Sequence, residues 1–241
     1  MAAKTVSTPV HHDWRAIYNK RFDLIECGLQ GNQGILVAML AQDRLSEVDQ
    51  AASFRQMATN DDERIKKELE DRAIKGAGET ESDCDQVKTH MDDLAKKGAK
   101  QEEWVTQFNL DMDDLEKKSI AQLQALRKWG LEKISQMSEG VRATMAKIFA
   151  GAVNAISLLF SEALKYIAQI IENIVAWLKK VWDNIKLWGS TILKWSGHAL
   201  DTIKQLFGTA SGSLDALASK LYDTGVHRFT LVCESGKWVL E

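Results

Sequence analysis

Proline is all but missing from this chain: Pro9 is the only one in 241 residues, where average usage gives roughly a dozen. Proline breaks helix interiors, so nothing of that kind limits helix length after position 9. Cysteine is scarce too. Cys27, Cys84 and Cys233 lie far apart, odd in number and without a CxxC pair. They indicate neither a zinc site nor a disulfide framework, and reduced thiols are expected. A net charge of -3 selects no partner in bulk.

Catalytic signatures are missing as well. The nucleophile elbow GxSxG, the phosphate loop GxxxxGK, HExxH and GxGxxG do not occur. His90, His198 and His227 are scattered, and the adjacent His11 and His12 have no third ligand. An enzyme is therefore not expected, nor a cofactor, a metal ion or a small-molecule substrate. No run of consecutive basic residues is longer than a pair such as Lys179-Lys180, which gives no ground for nucleic-acid binding. Met1 to Val10 holds one lysine and no apolar core, unlike a secretory signal. The expectation is cytoplasmic synthesis without a signal peptide, then a peripheral membrane location or release by a non-classical route.

What the chain does have is apolar periodicity at helical spacing. Leu164, Ile167, Ile171, Ile174, Leu178, Val181, Ile185, Trp188, Ile192 and Trp195 follow one another in steps of three and four, which is one face of an α-helix. Lys165, Lys179, Lys180, Lys186 and Lys194 lie off that face, and Trp177 and Trp182 flank it. As a single helix, Leu164 to Trp195 would run roughly 48 Å. Apolar residues and indoles on one side, with lysines elsewhere, is the composition of an interfacial amphipathic helix. It is equally the composition of a bundle core. Just upstream, Ile148 to Ser161 carries no charge and includes Ile156 and Phe160. That run is shorter than the roughly 20 residues needed to span a bilayer. It suits a buried core helix, a re-entrant segment or one arm of an insertable hairpin.

The rest of the chain divides by its punctuation. Residues 1–34 read as a tail and a short helix capped by Asp13, carrying Trp14, Ile17, Tyr18, Phe22 and Ile25. Residues 35–138 read as a rod of two helices with a break near 76–82, since Gly76-Ala77-Gly78 resembles a helix stop. Ser82 and Asp85 resemble a capping box for the second helix, which as one piece from Asp83 to Ser138 would reach roughly 80 Å. Residues 139–207 form the apolar and Trp-rich region. Residues 208–241 read as a linker, a short helix and a β-hairpin, with Phe229, Leu231, Cys233, Trp238 and Leu240 alternating around a turn. Charge is uneven along the chain: Asp61 to Lys118 holds 18 acids and 11 bases, and Ser119 to Phe207 holds 6 acids and 11 bases.

The fold class expected is all-α: an elongated antiparallel bundle of long helices with a small C-terminal β-hairpin. Long charged helices followed by an apolar stretch and a Trp-rich amphipathic helix is a layout similar in outline to the α-helical pore-forming toxins. That likeness of architecture implies association with a lipid membrane through residues 148–207, self-association and bilayer permeabilisation. The apolar ribbon from Ile156 to Trp195 would meet lipid or a partner, and the five lysines would meet headgroups. A different class of function fits the same pattern: an intracellular coiled-coil adaptor or scaffold whose stripe stays buried.

Overall fold

The computed structural model describes residues 13–30, 57–172, 181–208, 231–234 and 237–240. Five helices make up the described part apart from one strand pair: α1 Trp14–Leu29, α2 Asn60–Lys97, α3 Gln101–Ser135, α4 Glu139–Glu172 and α5 Val181–Gly208. Two short strands, β1 Leu231–Glu234 and β2 Lys237–Leu240, pair antiparallel with Glu234 opposite Lys237. The side chains of residues 169–172, 181–186 and 208 and of the strands are outside the described set, as are residues 173–180 and 209–230.

Local chemistry sets the helix ends. Asp13 accepts a hydrogen bond from the Arg15 N–H and caps α1, as its sequence suggests. Thr59 and Asp62 form a reciprocal capping box at the start of α2. Asp61, Asp62 and Glu63 crowd its first turn, and Lys96 and Lys97 its last, so both ends suit the helix dipole. Gly98 then takes φ 64°. Its N–H bonds to the Ala95 carbonyl while the Ala99 N–H reaches Leu94, a Schellman stop that favours glycine.

Three expectations about breaks need correction. Gly76-Ala77-Gly78 does not end a helix, because α2 passes straight through it. Gly76 instead serves close contact. A Cβ on Gly76 would come within 3.1 Å of the Ile156 side chain and 3.5 Å of Gln122. Ser82 and Asp85 are likewise inside α2, so they cap nothing. The rod expected from Asp83 to Ser138 is bent back on itself at Gly98–Lys100: its first part is the end of the 38-residue α2 and its second is the 35-residue α3.

The directions of the helices follow from their cross-links. Glu68 meets Lys133, Gly76 meets Gln122, Asp83 meets Lys118 and His90 meets Asp111. Rising numbers on α2 match falling numbers on α3, so the pair is antiparallel. Asp62 meets Ser138 and Gly76 meets Ile156, so α2 and α4 run the same way. Glu81 meets Ser196 and Cys84 meets Trp188, so α5 runs back. The bundle is therefore up-down-up-down, with α1 laid across α3 and α4.

The expected single helix from Leu164 to Trp195 is also corrected. Tyr166 and Trp188 have ring centroids 5.2 Å apart. In one straight helix they would be roughly 33 Å apart. The chain thus reverses between them, and the described part of the ribbon lies on two facing arms, α4 and α5.

Candidate functional site

The apolar hairpin of α4 and α5 is the site to which the sequence points, and α4 is its centre. Every residue from Ile148 to Ser157 is buried, with no exposed stripe. A helix apolar on all sides must sit inside something. Here α1, α2, α3 and α5 all pack against it. Its small residues, among them Ala146, Ala150, Ala152 and Ala163, are buried and let neighbouring helices come close. The stretch Glu139–Ala168 is long and apolar enough to cross a membrane, and 83% of its most apolar window is buried. Ser157 bonds back to the Val153 carbonyl at 3.1 Å. Its hydroxyl is satisfied by its own helix wherever that helix goes.

The expected contact residues divide as follows. Ile156, Phe160, Ile167, Trp188 and Ile192 are buried, and Leu164 and Trp195 are half-buried. Lys165 is half-buried and lies 4.0 Å from Glu162, while Lys194 is exposed. Ile171, Val181, Trp182, Ile185 and Lys186 are in helices, but their side chains lie outside the described set. Ile174, Trp177, Leu178, Lys179 and Lys180 lie outside the described residues altogether. The α5 arm is docked on α2: the Trp188 indole N–H donates to the Cys84 carbonyl at 3.3 Å, and the Ser196 hydroxyl donates to Glu81.

Two residues that hold α4 in place escaped the sequence reading. Asp62 is 1% exposed. Its carboxylate accepts from the N–H and hydroxyl of Thr59, both at 2.8 Å, and from the N–H and hydroxyl of Ser138 at 2.8 and 2.7 Å. It therefore pins the starts of α2 and α4 together. Burial alone would raise its pKa, but the two N–H groups and two hydroxyls outweigh burial and hold it below the ordinary value. The signal existed in sequence as Thr59 followed three residues later by an acid.

Gly130 is the second. A Cβ there would lie 2.3 Å from the Phe149 ring and 2.5 Å from the Tyr18 hydroxyl. The glycine lets α1, α3 and α4 cross at one point. Tyr18 donates to the Arg127 carbonyl at 2.8 Å, and burial pushes its pKa well above the ordinary value, so it remains a donor. No pattern in the sequence distinguishes Gly130 from any other helix glycine.

A second buried carboxylate behaves in the opposite way. Asp111, between α2 and α3, pairs with His90 Nδ1 at 2.6 Å and accepts from Gln107 at 2.9 Å. Its other oxygen is buried without a hydrogen-bond partner. Burial dominates and raises its pKa, although Gln107 and His90 pull the other way. Burial likewise pushes the Cys84 thiol up to about 12, helped by Asp83, Asp85 and Glu81. Among the described residues, no three His, Cys, Asp or Glu side chains are grouped to hold a metal ion. Comparison with protein-family models, with curated proteins and with solved structures finds no match to this chain.

Proposed function

We propose that this protein is a membrane-associating helical bundle that presents the α4–α5 hairpin to a bilayer. One observation carries the reading: the most apolar helix, of bilayer-crossing length, is the central one, and it is joined to a Trp-rich arm as a hairpin. Burying each large apolar side chain contributes roughly 1.5–3 kcal/mol, in a bundle interior or in lipid alike. The closed and lipid-bound states are then near enough in free energy to exchange. Indoles suit the headgroup boundary, and the lysines of α5 and the segment before it suit anionic headgroups. The elongated form, the C-terminal hairpin, self-association through the long charged helices and permeabilisation of the bilayer belong to the same proposal.

Tryptophan emission and dye release with anionic phosphatidylglycerol-containing vesicles test it. A blue shift with release of contents is expected. An unchanged spectrum and sealed vesicles across pH 4 to 8 would overturn it. A second reading would then hold, that of a scaffold whose stripe stays covered. It is favoured by the 83% burial of the apolar window and by the Asp62 pin.

A further inference from the structure

The helix that the membrane reading sends into lipid carries an acid near one end. From Gly140 to Ala168, the one acidic side chain of α4 is Glu162, and its bases are Arg142, Lys147 and Lys165. Lys147 and Lys165 bracket the apolar stretch. They are 18 positions apart, about 27 Å of helix, close to the roughly 30 Å of a bilayer's hydrocarbon core. Lysines at those two ends reach the headgroups on either side. Glu162 lies one turn inside Lys165, with a shorter side chain and the wrong sign for anionic headgroups. While it is charged, the uncharged run is Ile148–Ser161, 14 residues, too short to cross. With a proton on it, the run extends to Leu164, 17 residues, the lower end of what crosses.

In the bundle the charge is tolerated. The Glu162 side chain is 26% exposed, so water reaches it, and Lys165 lies 4.0 Å away. Lys165 is the charged group that acts on it among the described residues. At about the level of Glu162, α2 carries Glu81 and Asp83, which are engaged with Ser196 and with Lys118 of α3. Lys194 of α5 is exposed. α1 meets α4 at Phe149, about 20 Å away along the helix. Hydrocarbon supplies no water to a carboxylate. The same charge is therefore acceptable in one state and unfavourable in the other, and a proton removes the difference.

We propose that Glu162 makes insertion acid-gated: the closed bundle holds it charged at neutral pH, α4 enters the bilayer with it protonated, and a fall in pH drives the exchange. The gate rests on the membrane reading above and adds its trigger. The proton comes from water, one per chain, so this group steepens insertion by at most about tenfold per pH unit.

Dye release by the full chain tests it, with vesicles of phosphatidylglycerol and phosphatidylcholine at pH 7.5 and pH 5. Glu162→Gln fixes the side chain in an uncharged form. It should release dye at least tenfold faster than wild type at pH 7.5, and the two rates should converge within twofold at pH 5. Taking the ratio cancels the other groups that titrate over this range. Lys165→Gln breaks the same ion pair but keeps the carboxylate, so it should retain the pH dependence of wild type. A ratio of Glu162→Gln to wild type that is the same at both pH values would overturn the gate and leave the membrane reading standing. So would Lys165→Gln behaving like Glu162→Gln, which would trace the effect to the lost pair. Sealed vesicles with every variant at both pH values would remove the membrane reading and the gate together.

Discussion

The α2–α3 and α4–α5 hairpins share one bundle but are held by different chemistry. The first is joined by polar contacts at several levels: Lys133 with Glu68, Gln122 with the Gly76 carbonyl and Glu79, Lys118 with Asp83 and Asp114, and His90 with Asp111. In the second, the Tyr166 ring packs against Trp188 at a tilt of 56°, and α4, buried throughout Ile148 to Ser157, supplies the contact surface. Polar pairs fix register, since a slip of one turn leaves each partner facing the wrong residue. Apolar contact is indifferent to which apolar neighbour it meets. The first hairpin is thus specified in place. The second is stabilised by a term that another apolar medium can supply.

Substitutions where the two hairpins meet should show this difference most sharply. Gly130→Val drives a branched side chain into Phe149 and Tyr18. It should cost about 3 kcal/mol or more, seen as a lower urea midpoint and detachment of α1. Asp62→Ala should cost about 2 kcal/mol at pH 7, because four donors lose their acceptor. The sign with pH follows from its depressed pKa. The stability it adds is present above the ordinary 3.8 and fades as pH falls through the lower folded value. The gap between wild type and variant should close in strong acid.

Asp111→Asn should behave in reverse. A raised folded pKa means that stability is lost as pH rises from 3.8 through the folded value. The asparagine variant should lack that fall and recover about 1 kcal/mol relative to wild type between the two ends of the profile. Urea midpoints measured every half pH unit separate the two carboxylates. The smallest effect, and a gain, is expected at Gly78, where an added Cβ meets nothing within 4 Å. Gly78→Ala should stabilise α2 by about 0.5–1 kcal/mol.

These sites also show what a linear chain reveals about itself. The α1 stripe with its Asp13 cap and the unbroken apolarity of Ile148 to Ser161, with a buried core helix as one of three readings, were readable, because helical spacing and apolarity are local properties. The reversal within the Leu164–Trp195 ribbon was not. Two arms that face each other both present apolar residues inward, so the 3-4 ladder continues through a change of direction. Gly76 and Gly98 show the same limit. Both are glycines in helical pattern, yet one admits Ile156 and the other takes a positive φ. The distinguishing clue was Lys96-Lys97 before Gly98, the basic last turn of a helix. Asp62 sits in the polar run Asn60-Asp61-Asp62, which by itself says nothing of a second helix. Its partner Ser138, just before α4, lies 76 positions later, beyond the reach of any local pattern.

The Cys84 thiol, walled in at the docking point of Trp188 and raised to about 12, keeps its proton throughout the physiological range. A sulfur in that state neither attacks a disulfide nor yields to mild oxidants. The thiol inside this bundle is therefore a poor target for oxidation; among the described cysteines, Cys27 is the exposed one.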